Sequence, residues 1–229
     1  MEGRVEILRV LTERREDLVA ERTRALNRLH VLLRDLLSDG VAKGLSAEAA
    51  AKLLRRAGPK HAAGRTRKWL ASELVGDVRA LDRKVASLDE CIREEVGASS
   101  TTLTEVFGVG SILAAKIVGI VGDVRRFSRT RSTSPPQRGG VAPIEASSGE
   151  VSSGTGSRWR ATAASQPGLM HMIAVCQARS DPRGRAYYRK KLEEGKSRRE
   201  AMRSLKRRVS DVVFKALVAD STRASLAVG

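Results

Sequence analysis

Residues 8–36 of this 229-residue chain read LRVLTERREDLVAERTRALNRLHVLLRDL, and the spacing of their apolar side chains decides the fold. The steps alternate between three and four residues, which is the heptad repeat of a helix with one apolar seam. The members of this seam are Leu8, Leu11, Arg15, Leu18, Arg22, Ala25, Leu29, Leu32 and Leu36. We therefore predict a long helix in which Arg15 and Arg22 occupy core positions, where they can snorkel or set the register.

A second heptad seam follows about forty residues later. Its members are Leu74, Val78, Leu81, Val85, Leu88, Ile92 and Val96. Between the seams, Gly40, Gly44 and Gly58-Pro59 bracket a short helix that Ser46 can cap. Two long helices joined in this way either fold back as an antiparallel hairpin or pair with a second chain. We predict a helical hairpin or coiled coil over residues 1–98 and a homodimer formed through it.

The charge of the chain points to a polyanionic partner. Lys and Arg outnumber Asp and Glu by 43 to 26, the net charge is +17 and the pI is near 10.9. Such an excess is self-repulsive, and nucleic acid neutralises it better than a membrane, since no 18-residue apolar run exists. Aromatic residues make up only 3%, so phosphate contacts rather than base stacking must dominate. We predict no membrane partner.

Residues 103–123, LTEVFGVGSILAAKIVGIVGD, indicate a short helix, a glycine turn and a second helix. Two glycines around one apolar residue allow a sharp turn, and the amides at Ser111 would begin the second helix with positive dipole character. This is the pattern of a helix-hairpin-helix that grips a nucleic-acid backbone. The alternative is a Gly-Val-Gly corner that only joins two packed helices.

Helical character and basic clusters return near the C-terminus. Ser197 and Glu200 form a capping box, Gly195 fits the end of the preceding helix, and an apolar stripe follows along the last helix, namely Leu205, Val209, Val212, Val213, Ala216 and Leu217. The nucleic-acid-binding residues that we predict are Gly108, Val109, Gly110, Ser111, Lys116, Arg125, Arg126, Lys190, Lys191, Lys206, Arg207 and Arg208.

No metal site or cofactor site is predicted in this chain. The acidic residues of the first half, such as Asp77 and Asp82, alternate with arginines at helical spacing, which is typical of a solvated helix face. The cysteines, Cys91 and Cys176, lack metal-ligand spacing and indicate a reducing compartment. The N-terminus is charged from its first residues, so we expect a cytoplasmic protein.

Three motifs in order carry a family resemblance. LTEVFGVGSILAAKIVGIVGDVRRF (residues 103–127), APIEASSGE (142–150) and GRAYYRKKLEEGKSRREAMRSLKRRVSDVVFKAL (184–217) resemble the C-terminal half of transposases of the insertion sequence 110 family, also called the 116/902 type. The seams resemble the coiled coil of that family. The resemblance implies DNA transposition and recombination, a bacterial nucleoid-associated protein, DNA as partner and structured RNA as a further candidate.

The resemblance also implies the domain plan and the chemistry. We expect a mainly α fold: the hairpin or coiled coil, then a transposase domain over residues 99–220 and a tail over 221–229. Within that domain, a helix-hairpin-helix at 101–122 and basic helices at 169–220 flank an irregular, partly disordered stretch at 128–168. By the same resemblance, Ser148, with its neighbour Ser147, is the candidate nucleophile. The family's divalent metal belongs to a RuvC-like DEDD nuclease domain, which we expect to be missing here.

Two stretches within residues 128–168 depart from the family pattern while their flanks resume it. Our hypothesis is that local frame shifts scrambled them, so that the chain is a truncated, decayed transposase that is inactive alone. A non-enzymatic, dimeric DNA- or RNA-binding helical protein and an inert gene product are the alternatives.

Overall fold

The computed structural model describes residues 2–37, 40–42, 44–125 and 167–226, and within them all regular secondary structure is helical, with no strand. In chain order the elements are α1 (Glu2–Leu36), α2 (Ala47–Arg56), α3 (Ala62–Ala98), a 3₁₀ turn (Leu103–Glu105), α4 (Ser111–Val121), α5 (Pro167–Ser180), α6 (Pro182–Glu193) and α7 (Arg198–Leu226). The prediction of a mainly α fold is confirmed. The first helix of the predicted helix-hairpin-helix is only the three-residue 3₁₀ turn.

The chain divides into two compact units, which we describe separately. Residues 6–95 form one, here called the hairpin unit, and residues 1–5 with 96–229 form the other, here called the C-terminal unit. The division lies three residues before the boundary at 98 that we predicted from the sequence.

Ion pairs fix the antiparallel arrangement of the hairpin unit. Arg15 of α1 pairs with Asp89 of α3, and Arg22, seven residues later, pairs with Asp82, seven residues earlier. Equal steps forward along one helix and backward along the other define an antiparallel register. Arg67 near the start of α3 continues it, with its Nε 3.9 Å from Asp35 near the end of α1. The structure therefore realises the hairpin within one chain, and Arg15 and Arg22 set its register.

Asp82 is partly exposed, as expected for the solvated face on which the sequence placed it beside Arg79 and Arg83, but it also has a partner that the sequence did not indicate. Arg22 reaches it across the hairpin, so it serves as a register contact. The residues next to Asp82 in the sequence do not reveal this contact, because the cation that pairs with it lies 60 residues away.

The buried seam also shifts from the predicted positions. Leu8, Leu18 and Leu29 are buried as expected, but Leu33 and Thr12 are buried where Leu32 and Leu11 are only partly so. A helix with 3.6 residues per turn drifts from a strict heptad. Near the turn α2 adds a second packing direction, and the core there comprises Leu29, Leu33, Ala47, Ala50, Leu54, Ala71, Val75 and Val78.

The caps that the sequence predicted are present. The Ser46 hydroxyl accepts the amide of Ala49 at 3.2 Å and begins α2. Ser197 and Glu200 form the reciprocal capping box of α7, in which the Glu200 carboxylate accepts the Ser197 amide at 2.9 Å. Gly195 has φ of +82°, as the residue just after a helix often has.

Helices α5, α6 and α7 pack against one another in the C-terminal unit. The apolar face that α7 turns inward comprises Ala201, Leu205, Val209, Val213 and Leu217. Val212, which the sequence placed in the stripe, is 42% exposed because it lies about 100° around the helix from Val213. Helix α7 continues to Leu226, past the point at which we predicted a tail.

Candidate nucleic-acid interface

The glycine corner, residues 106–110, links the 3₁₀ turn to α4. The Val109 amide donates to the Val106 carbonyl at 2.9 Å and closes the turn, and Gly108 adopts φ of +87°. Val109 is buried, whereas Gly110 is exposed. The corner thus has an inner side and an outer side, and its two glycines serve different purposes.

Gly108 serves the packing of the protein itself. A Cβ built on it would lie 3.1 Å from the Cβ of Cys176 and 3.4 Å from the carbonyl oxygen of Ile173, both on α5. Its positive φ is also a conformation that side chains other than glycine rarely adopt. The sequence predicted that the backbone would lie close to another group at this corner, and at Gly108 that group is helix α5. Gly108 and buried Val109 thus face the interior of the protein, as the alternative of a corner between packed helices predicts.

Gly110 lies at the outer side, at the start of α4. Its φ of −83° and ψ of 173° suit any residue, and a Cβ there would meet nothing within 4 Å. Its carbonyl accepts the Ala114 amide at 2.9 Å, and no side chain caps this helix end. The first amides of α4, from Ser111 onward, therefore form an uncapped N-terminus with positive dipole character.

Two long-range contacts hold the corner in place. The Gln177 side chain of α5 donates to the Phe107 carbonyl at 3.0 Å. Asp220 of α7 accepts hydrogen bonds from both Thr101 and Thr102, just before the 3₁₀ turn, and also pairs with Arg223. Sequence analysis missed all of these residues, since none of them belongs to a recognisable motif.

The same Gln177 takes part in the sharp junction between α5 and α6. Asp181 caps α6 by accepting the Gly184 amide at 2.7 Å. A Cβ on Gly184 would lie 2.7 Å from that of Gln177, so the two helices touch where only glycine fits. This junction orients α6, which carries the first basic cluster.

Tyr187 of α6 brings the basic clusters of α6 and α7 together. Its ring lies 4.8 Å from the Arg208 guanidinium of α7 and 5.5 Å from the Lys191 ammonium of its own helix. Both cations lie within the range of an attractive cation–π contact. Two clusters separated in sequence thus form one basic surface, here called the Tyr187 surface, with Lys190 and Arg207 exposed and Lys206 half-buried.

Not every cation of the Tyr187 surface is equally available to a ligand. Lys191 donates to Glu194 at 2.7 Å. This hydrogen bond raises the pKa of Lys191 and lowers the pKa of the Glu194 carboxyl. The Glu194 carboxylate therefore neutralises the charge of Lys191, so exposed Lys190 and Arg207 contribute more of the net positive charge.

The remaining predicted residues are scattered. Lys116 is half-buried on α4, and the Nε of exposed Arg125 lies 3.0 Å from an oxygen of Asp123. Arg126, Ser147 and Ser148 lie outside the described residues, as does almost all of the irregular stretch at 128–168.

Among the described ranges, no group of three or more His, Cys, Asp or Glu side chains is arranged to hold a metal ion. No helix among them is both long and apolar enough to span a membrane.

Comparisons with known proteins assign the C-terminal unit. Residues 100–189 match the family described as "Transposase IS116/IS110/IS902 family", and this segment contains the glycine corner, α4, α5 and most of α6. This segment is therefore similar to the domain of that transposase family. The resemblance carried by the three motifs is thereby confirmed.

Two relatives extend this similarity over most of the length of the chain. It is 28% identical, over an alignment 256 residues long, to the insertion element IS116 uncharacterized 44.8 kDa protein of Streptomyces clavuligerus. The alignment covers 92% of this chain and 63% of the relative. The chain is 28% identical over 252 residues to the insertion element IS900 uncharacterized 42 kDa protein of Mycobacterium paratuberculosis, covering 90% and 62%. The chain thus spans less than two thirds of these relatives. No solved structure matches it.

Proposed function

We propose that this chain binds the phosphate backbone of DNA and takes part in DNA transposition and recombination. In this proposal, the glycine corner and the start of α4 act as a helix-hairpin-helix. The observation that carries the proposal is Gly110. Neither its backbone angles nor any neighbouring atom requires a glycine there, yet it lies at an exposed, uncapped helix N-terminus. A missing side chain at such a point lets a phosphate approach the amides closely.

The Tyr187 surface is the proposed second contact, and α7 connects it to the corner. Arg208 belongs to that surface, and Asp220, twelve residues further along α7, binds the threonines before the 3₁₀ turn. Twelve residues of α-helix correspond to about 18 Å. Both contacts lie in the C-terminal unit, and we propose that they bind one continuous DNA backbone.

The sharpest test replaces Gly110 by aspartate. An aspartate at the start of α4 accepts helix amides and stabilises the helix by about 0.5–1 kcal/mol, but it places a negative charge where the phosphate would lie. We expect Gly110→Asp to keep or raise the melting temperature while weakening duplex DNA binding at least tenfold. Fluorescence anisotropy with labelled duplex over a range of salt concentrations measures the binding.

Gly168→Asp is the matched control. Gly168 is also exposed at the start of a helix of the same unit, with open space around it and no positive φ. The control makes the same charge change, so it reports the general effect of a carboxylate on affinity. Equal losses in both variants, or no loss in Gly110→Asp, would refute the proposed contact.

The chemical step is proposed from the family resemblance alone. We propose Ser148, with Ser147 beside it, as the nucleophile position; an exposed serine attacks phosphorus only when a base or a metal activates it. By that resemblance the metal is held by a DEDD carboxylate set, so we expect no cleavage by this chain alone. A strand-cleavage assay with Mg²⁺ checks this, and cleavage that Ser148→Ala abolishes would contradict the expected inactivity.

The homodimer and the compartment also stay proposals. The two seams cover each other within one chain, so a dimer of the hairpin unit would have to use other apolar side chains, such as exposed Ile7 and Val10. We propose a cytoplasmic, nucleoid-associated protein because DNA is the proposed partner. Structured RNA is the rival ligand, and competition between duplex DNA and folded RNA for the same labelled probe distinguishes them.

A further inference from the structure

The closed end of the hairpin unit carries a concentrated positive charge that the proposed function does not use. Residues 49–72, which include most of α2 and the start of α3, contain seven cationic residues and no Asp or Glu: Lys52, Arg55, Arg56, Lys60, Arg65, Arg67 and Lys68. We call this segment the hairpin tip. All of these side chains except half-buried Lys68 are exposed.

Most of this charge is not neutralised within the protein. Arg67 approaches Asp35 at 3.9 Å, and Lys68 donates to the Ala57 carbonyl at 2.7 Å. Arg65 donates to the Lys60 carbonyl, which leaves its charge uncompensated. In the part of the chain that the structure describes, no carboxylate pairs with Lys52, Arg55, Arg56, Lys60 or Arg65. Repulsion among them favours an anionic ligand.

The tip also has a concave surface. A groove of about 480 Å³ runs between α2 and α3 and is lined by Ala51, Leu54, Arg55, Lys68, Ser72, Val75 and Arg79. Its α3 wall consists of residues one turn apart, which lie on one helix face. Cationic groups at its rim, a hydroxyl and an apolar floor make it suitable for a chain that is charged along one side and apolar on the other.

Trp69 adds a flat aromatic surface at the same place. It follows groove residue Lys68, lies one turn after Arg65, and is 61% exposed. An exposed tryptophan one turn from an arginine stacks well on an unpaired base, whose face is hidden in a duplex. Glu73, one turn further along the helix, is the one acidic neighbour of Trp69 on that face. The low aromatic content of the chain argues against stacking as its general mode of binding, but one stacked base needs only this residue.

Of the two arginines that line the groove, Arg79 lies 3.6 Å from Glu48, and Arg55 has no carboxylate partner among the described residues. We propose that the hairpin tip binds a single-stranded segment of nucleic acid, with its phosphates on Arg55 and the other unpaired cations of the tip and one base stacked on Trp69. This site is separate from the DNA contact proposed for the C-terminal unit and does not depend on it. A duplex offers phosphates but no free base face, so the site prefers single strands.

The fluorescence of Trp69 tests the proposal directly in the full chain. Trp159→Phe, introduced into every variant, leaves Trp69 as the only tryptophan. We expect a short oligothymidylate to quench the emission, and a self-complementary duplex of equal phosphate content to quench it much less. Trp69→Phe should retain most of the affinity of a labelled oligothymidylate, whereas Trp69→Ala should bind about tenfold more weakly.

A pair of double variants tests the cations. Arg55→Gln with Arg65→Gln removes two charges at the tip, and Arg14→Gln with Arg24→Gln removes two exposed charges of α1 away from it. We expect the tip variant to lower the slope of log affinity against log salt by about 1.4, at about 0.7 per phosphate of single-stranded nucleic acid, and the control to leave it nearly unchanged. Circular dichroism verifies that both remain helical.

Three outcomes would overturn the proposal. One is equal quenching by duplex and single strand together with unchanged binding by Trp69→Ala. Another is the same loss in both double variants. The third is a Trp69 emission that changes with protein concentration but not with added oligonucleotide, which would assign the tip to contact with a second copy of the chain.

Discussion

Asp220 of α7 accepts the backbone amide of Thr102 at 3.1 Å through one carboxylate oxygen and the Thr102 hydroxyl at 2.7 Å through the other. The two residues lie 118 positions apart, at the end of the last helix and just before the 3₁₀ turn. Asp220 also accepts the Thr101 hydroxyl at 2.8 Å and is mostly buried. One carboxylate thus ties the last helix to the glycine corner.

Removal of this carboxylate should destabilise the C-terminal unit. We expect Asp220→Ala to lower the free energy of unfolding by about 2–3 kcal/mol, because the three threonine donors and the Arg223 guanidinium lose a charged acceptor in a partly buried place. Asp220→Asn, which keeps one carbonyl acceptor, should cost less. Urea denaturation followed by circular dichroism measures both, with exposed Glu193→Ala as the control. Equal stability of Asp220→Ala and the control would contradict this role.

The two glycines of the corner should respond differently to alanine. Gly108→Ala forces a side chain into a positive φ and against Cys176 and Ile173, so we expect a loss of about 2 kcal/mol or more. Gly110→Ala meets open space at ordinary backbone angles and should change stability by less than about 0.5 kcal/mol. Thermal melts of the two variants under one buffer condition make the comparison. A Gly110→Ala variant as unstable as Gly108→Ala would contradict the different roles of the two glycines.

The register pairs of the hairpin unit should be energetically coupled. A double-mutant cycle on Arg22 and Asp82, with alanine at each, should give a coupling of about 0.5–1 kcal/mol at low salt, since both side chains are more than a third exposed and therefore screened. The coupling should shrink at high salt. A cycle on Arg22 and Asp77, which are not paired, is the control, and comparable coupling in both cycles would argue against the antiparallel register.

The capping box of α7 predicts a pH dependence. Hydrogen bonds from the Ser197 side chain and backbone lower the pKa of Glu200 in the folded chain. A carboxyl whose folded pKa is depressed stabilises the fold at pH values above its unfolded pKa, and this contribution is lost as the pH falls through the folded value. Glu200→Ala should therefore be less stable than the wild type at neutral pH, and the difference should fade below about pH 4. A difference that persists in full at low pH would contradict the carboxylate's role.

The frame-shift hypothesis concerns residues 128–168, almost all of which lie outside the described ranges, and the encoding DNA can test it. Translation of that DNA in the other two frames should restore, for both departing stretches, the family pattern that their flanks show. If neither stretch regains it, these residues are an ordinary divergent segment and the decay hypothesis fails.

Local patterns in the sequence predicted the local structure well. The Ser46 cap, the Ser197–Glu200 capping box and the two long helices depend on residues within about one helix turn of each other, and all are present. The short helix expected before the glycine corner is only a 3₁₀ turn, because three residues are too few for an α-helix to form. The family followed from motif order, which also lies in the sequence.

Long-range pairings could not be predicted in the same way. Arg15 and Arg22 could equally have faced a second chain, and only the folded hairpin shows Asp89 and Asp82 opposite them. Nothing near Gln177 along the chain indicates that it would bind the Phe107 carbonyl. Tyr187 likewise gathers Lys191 and Arg208 only because α6 packs on α7.

The sequence by itself determined that this protein is helical, basic and similar to a transposase family, because periodicity, composition and motif order depend on near neighbours along the chain. The tertiary structure alone decided what each glycine of the corner does. A glycine is needed at position 108 because α5 packs directly against it, whereas no atom lies close to the position of a Cβ on Gly110. The residues of α5 that make this difference lie more than sixty positions along the chain from the corner.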